Sequence, residues 1–150
     1  MLTRRTVLAS SVAASLTLVA PAAASEVSDN KKIAKRYIDE VYNARNMAVL
    51  DEIVSPNFVP TNPDDAPGIE ALKARIDQAL EINTYMVDGI AYEIDAMAGE
   101  KANVFIRGWA TGTNSSGKKI SAAFFVHLAF EAGLIVGAWN LMDQTALMGI

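Results

Sequence analysis

Lys118-Lys-Ile-Ser-Ala-Ala-Phe-Phe-Val-His-Leu-Ala-Phe130, Glu131-Ala-Gly133 and Leu134-Ile-Val-Gly-Ala-Trp-Asn-Leu-Met-Asp143 read as two apolar runs joined by a tight turn. So short a connection returns the second run antiparallel to the first, because a parallel crossover needs a dozen residues or more. Upstream, Asn114-Ser-Ser-Gly117 separates this hairpin from a run over Ala102 to Thr113, and Ala98-Gly-Glu-Lys101 separates that from a run starting at Met86. In the earliest run Ile90, Tyr92 and Ile94 alternate with Ala91, Glu93 and Asp95, the period-two pattern of a half-buried strand. The expectation is four antiparallel strands in chain order.

Before Met86 the period is helical. Ile33, Tyr37, Ile38, Val41 and Tyr42 form one apolar stripe after a polar lead-in over Ser25 to Asn30, and Asn43-Ala-Arg-Asn46 ends it. A short helix fits Met47 to Val54, with Asn46 placed to cap it and Pro56 to stop it. Phe58 to Pro67 reads as a surface loop, and Ile69, Leu72, Ile76 and Leu80 mark a third helix from Ile69 to Glu81. Helices followed by a run of strands give an α+β domain.

The chain opens with Arg4-Arg5, an uncharged stretch from Thr6 to Ala20, and Pro21-Ala-Ala-Ala-Ser25. A basic start, an apolar middle and small residues at the cleavage positions make a secretory signal, and the adjacent arginines resemble the twin-arginine type. Residues 1–24 are therefore expected to be removed after Ala24, leaving residues 25–150 as one domain, periplasmic or secreted, with no stable membrane anchor. Without the two arginines that domain has 11 basic against 17 acidic residues, a balance that argues against nucleic acid and anionic membrane surfaces. There is no cysteine and His127 is the only histidine, so neither a disulfide nor a zinc site of the usual nitrogen and sulfur ligands is expected.

Chemistry can come from few places. On the last run Trp139, Leu141 and Asp143 share a face, and a desolvated carboxyl beside an indole gains the raised pKa of an acid and base; Asp143 can equally cap a terminal turn over Gln144 to Met148. Arg107 shares a face with Phe105, Trp109, Thr111 and Thr113, either holding an anion or standing on the open side of the sheet, since the opposite face with Val104, Ile106, Gly108 and Ala110 is the more apolar. His127, between Phe125 and Ala129, reads as partly buried. Tyr37, Tyr42, Phe58 and Tyr92 read as core, which is also the lining that a pocket for an apolar ring needs.

The order of Tyr42-Asn43, Ser55-Pro-Asn-Phe58, Asn62-Pro63, Pro67-Gly-Ile-Glu-Ala-Leu-Lys73, Gly112-Thr113 and Gly133-x-Ile135-x-x-x-Trp139-x-x-x-Asp143 resembles the SnoaL-like polyketide cyclase family, in the nuclear transport factor 2-like superfamily. The resemblance implies a cone: a curved antiparallel sheet on three N-terminal helices, a pocket in its open end, and a homodimer through the outer sheet face. It also implies cofactor-free aldol closure with one aspartate as acid and base, the position matched by Asp143, with Trp139 matching a tryptophan of the motif. Gly137 and Thr61 depart from the pattern, standing where relatives often carry Glu and His.

The expected activity is thus proton transfer on a small, apolar carbonyl compound, as in a cyclase or isomerase. Asp143 would be the acid and base, His127 or Arg107 would stabilise the oxyanion, and Trp139, Tyr37, Trp109 and Phe125 would contact the ligand, with no metal and no cofactor. A non-catalytic small-molecule binder is the alternative, and an epoxide hydrolase-like enzyme ranks below it because Trp109 stands where a second acid would be needed.

Overall fold

The computed structural model describes residues 21–61 and 64–149. Helix α1 spans Pro21–Arg36 and runs on as a π-helical turn, Tyr37–Asn43; a 3-10 turn, Met47–Val49, leads into α2, Leu50–Ile53; α3 spans Ile69–Met86. Strands β1 Val87–Glu100, β2 Asn103–Asn114, β3 Lys119–Glu131 and β4 Leu134–Met142 follow, and α4, Gln144–Met148, ends the described chain. The sheet is four-stranded, antiparallel throughout and ordered β1-β2-β3-β4, as the sequence indicates.

Three helical boundaries differ from the sequence reading. Ser25 to Asn30 is helical, and Asn30 is buried in line with Ala34, Tyr37, Ile38 and Val41, because α1 lies against the sheet and sets Val27 over Gly99 of β1. The cleavage point after Ala24 falls in the first turns of this helix, while Arg4-Arg5 and the apolar stretch lie outside the described residues. Asn46 makes no side-chain cap. Helix α3 continues past Glu81 because Asn83 extends the buried stripe of Leu72, Ile76 and Leu80 at helical spacing.

Alternation sorts the sheet into two faces. Val104, Ile106, Gly108 and Ala110 of β2 and Ile120, Ala122, Phe124, Val126, Leu128 and Phe130 of β3 point inward onto the helices and are buried. Register shifts between Asp88 and Ala91, between Ile94 and Ala96, and between Ala129 and Phe130 bend the strands, and bulges of this kind curve a sheet around its contents. Beyond α2 the chain covers the free edge of β4. Val54 bridges Ile135 in parallel, Ser55 N–H donates to the Ile135 carbonyl at 2.9 Å and Val59 N–H to that of Val136 at 2.9 Å, which removes an edge that would otherwise invite pairing.

Candidate functional site

The π-helical turn is where the site begins. Residues five apart on an α-helix are separated by about 140°, but the wider turn, closed by Ala44 N–H on the Asp39 carbonyl at 3.0 Å, brings Tyr37 and Tyr42 together with ring centroids 5.3 Å apart. Tyr42 meets Tyr92 at 5.3 Å and Tyr92 meets Phe124 at 5.8 Å, all edge-to-face, so one aromatic row runs from α1 across the inner sheet. Asn43 fixes the turn to β1: its Oδ1 accepts from Tyr92 N–H and its Nδ2 donates to the Tyr92 carbonyl, both at 2.8 Å.

Two cavities adjoin this row at Tyr42. One, of about 190 Å³, lies between Tyr42, Asn83, Tyr92, Phe124, Val126 and Met142. The other, of about 340 Å³, lies towards Thr61, Asp65, Leu72, Arg75, Ile76 and Trp139. Tyr42, Ala79 and Asn140 line both. Asn83 Nδ2 donates to the Tyr92 hydroxyl at 2.9 Å, and Asn140 Nδ2 donates to the Tyr42 hydroxyl at 3.0 Å. Each phenol oxygen accepts from an amide, and the Tyr92 hydroxyl keeps its own proton to give to a guest. In the second cavity Arg75 Nη1 pairs with Asp65 at 3.1 Å, and Thr61 Oγ1 donates to the Ala138 carbonyl at 2.9 Å.

Burial pushes the Tyr42 phenol well above its ordinary value, and it raises Tyr37 and Tyr92 too. At neutral pH these groups are uncharged donors and not bases. Because the fold holds protons that the unfolded chain releases near pH ~10, stability conferred by the neutral phenols is intact below that value and lost as pH climbs toward the folded values. Tyr42→Phe should accordingly flatten the alkaline limb of a stability-against-pH profile followed by circular dichroism; an unchanged limb would show that Tyr42 titrates normally.

The residues expected to act do not gather here. Asp143 keeps the parity with Trp139 and Leu141 inferred from spacing, but that parity faces solvent. Its carboxylate is exposed and Oδ1 accepts from Ala146 N–H at 2.9 Å as the N-cap of α4, so the expectation of Asp143 inside the pocket is corrected: the outward side of β4 is more apolar than the inward one, and apolarity misled. Arg107 likewise stands on the outer face, where Nε donates to Asp95 Oδ2 at 2.7 Å, and it does not reach Asp143. His127 stacks on Phe105 at 4.5 Å, and its Nε2 lies 2.8 Å from Asn103 Oδ1, also on the outer face opposite Trp139. Trp109 and Phe125 belong to that face too; Phe125 also lines the inner cavity and Trp139 the adjoining one, and the two meet His127 around an outer-face cavity of about 220 Å³. Tyr37 is fully buried behind Tyr42 and contacts neither cavity.

Asn83 and Asn140 were missed. The signal for Asn83 is an amide at the next position of an apolar helical stripe, and for Asn140 an amide alternating inward with Ala138 and Met142.

The family model described as the SnoaL-like domain matches residues 34–138. No curated protein matches the chain. Solved structures similar to it include TsrD from Streptomyces laurentii, 21% identical with TM-score 0.66, covering 80% of this chain and 92% of that one. A SnoaL-like polyketide cyclase from Agrobacterium tumefaciens is 14% identical with TM-score 0.62, covering 79% and 94%. IdmH from Streptomyces antibioticus is 15% identical with TM-score 0.64, covering 80% and 96%. At these identities the likeness speaks for the fold.

Proposed function

The chain belongs to the SnoaL-like domain family, and from that premise we propose that it binds one small, largely apolar ring compound between α3 and the inner face of the sheet, as a binding protein. The observation that carries this is the lining of the inner cavity: apolar and aromatic walls, two amides and two neutral phenols, with no carboxylate or imidazole among the described residues around it. Such a set recognises a carbonyl or hydroxyl on an apolar ring and supplies no base for proton transfer. Titrating the folded chain with naphthol by calorimetry should give saturable binding at one site per chain, and heat no different from dilution would refute the reading.

One observation favours a catalytic version. Asp65, held by Arg75, is the carboxylate that lines the adjoining cavity, and it could exchange a proton with a ligand spanning both. In a cyclase or isomerase of that kind Asp65→Asn would abolish turnover while Asp143→Asn would leave it intact, the reverse of the assignment drawn from the resemblance.

Export through the twin-arginine pathway to the periplasm, with cleavage after Ala24, is the location this reading favours, on the strength of Arg4-Arg5 and the stretch behind it. Changing the pair to Lys-Lys keeps the charge and should trap the precursor in the cytoplasm, seen by fractionation; normal export of that variant would contradict the pathway.

Pairing of two copies through the outer sheet face fits the same picture. Phe105, Trp109, Phe125, Trp139 and Leu141 are between 43% and 54% exposed there, an apolar patch that a lone soluble chain rarely shows to water. Sedimentation should report a dimer for the native chain and a monomer for Phe105→Glu, whereas a native monomer at micromolar concentration would remove this element.

A further inference from the structure

We propose that the Tyr42–Asn140 hydrogen bond is a partition that sets the length of ligand the site accepts, a selectivity that rests on the binding reading above. The two residues come from opposite walls, Tyr42 from the π-helical turn and Asn140 from β4, and with Ala79 they are the residues common to both cavities. Their contact, Asn140 Nδ2 to Tyr42 hydroxyl at 3.0 Å, crosses the boundary between a space of about 190 Å³ and one of about 340 Å³.

The two sides of this contact are unequally held. Tyr42 is packed edge-to-face between Tyr37 and Tyr92, and its neighbour Asn43 is bonded twice to the β1 backbone, so the phenol is fixed. Asn140 is solvent-exposed and holds the wall through its amide alone, against the Tyr42 hydroxyl with the Tyr37 phenol beside it, so rotation about its own χ angles exchanges phenol for water at little cost. Closed, the inner cavity takes a compact ring system whose oxygen meets the phenols. Open, it joins a space whose far end offers Arg75 and Thr61, which suits an elongated compound with a second polar group at its other end.

The test compares naphthol, a compact phenol, with resveratrol, an elongated one carrying hydroxyls at both ends, against native chain, Asn140→Ala and Tyr42→Phe, all first shown to melt cooperatively. Asn140→Ala should raise resveratrol affinity roughly tenfold while naphthol changes less than about threefold. Tyr42→Phe keeps the ring and should move the preference the same way, because Asn140 loses its partner; a shift in Asn140→Ala alone would mean bulk and not the hydrogen bond sets the length, and would overturn the proposal. Equal changes for both probes would overturn it while leaving the binding reading intact. Failure of resveratrol alone to bind any of the three chains would overturn the partition and leave the binding reading intact, and failure of both probes would remove the two together.

Discussion

Gly108→Ala is expected to cost about 3 kcal/mol of stability or more, at the upper end of what overpacking a core does. Gly108 sits in the middle of β2, paired with Ile94 on one side and Phe124 on the other. A Cβ built there would overlap the Glu93 carbonyl oxygen and the edge of the Phe124 ring. Neither obstacle can yield cheaply. The carbonyl belongs to the β1 backbone, and the ring is clamped against Tyr92 in the aromatic row. In a two-state urea melt the midpoint should fall by about one molar or more at typical slopes of ~1–3 kcal/mol per molar. Ala110→Gly removes only a buried methyl from the same strand and should cost about 1 kcal/mol. Equal midpoints for Gly108→Ala and the native chain would mean that the inner sheet is not packed as described.

The second large effect concerns binding. Ala79 faces both cavities from α3, at a position open enough for an indole to enter without disturbing the buried stripe of Leu72, Ile76 and Leu80. Ala79→Trp should fill the site and lower naphthol affinity by about 100-fold or more. The helix should lose only a few tenths of a kcal/mol, the propensity difference between the two residues. Gln78→Trp adds the same indole one residue earlier, at an exposed position lining neither cavity, and should bind as the native chain does. Loss in both variants would point to a general effect of the added ring.

The strands were legible because turn residues bracket period-two runs, and the pairing partners then follow from connection length alone. Which side faced the helices was left open on β2, although Val104, Ile106 and Ala110 against Arg107 leaned the right way, and was illegible on β4. There the outward positions hold Trp139 and Leu141 while the inward ones hold Ala138, Asn140 and Met142, so apolarity points the wrong way. Asp143 inherited that inversion. Tyr37 and Tyr42 illustrate a different loss: their five-residue spacing suits a π turn, but helical periodicity alone reads both as ordinary members of an α-helical stripe. Cavity-lining amides are hard to see in any sequence, since an inward Asn is distinguished from an outward one only by partners far along the chain, as with Asn140 and Tyr42 or Asn83 and Tyr92.

The proposed export and pairing concern where the domain would work, whereas the cavity concerns what it would bind. Exposed ion pairs such as Arg36 with Glu52 and Lys73 with Asp51 tie the helices together at the surface and contribute little each, so the helical layer depends on the packing that also forms the cavity wall. Substitutions that fill the cavity from α3 can therefore separate function from folding, and those beneath the aromatic row cannot.

Native mass spectrometry of the chain incubated with naphthol, run beside Ala79→Trp, asks whether a ligand occupies the space between α3 and the inner sheet. The native chain should carry one naphthol and the variant none, with both folded by their charge-state distributions. An unliganded native chain, or the same adduct on Ala79→Trp, would contradict a ligand site between α3 and the inner sheet.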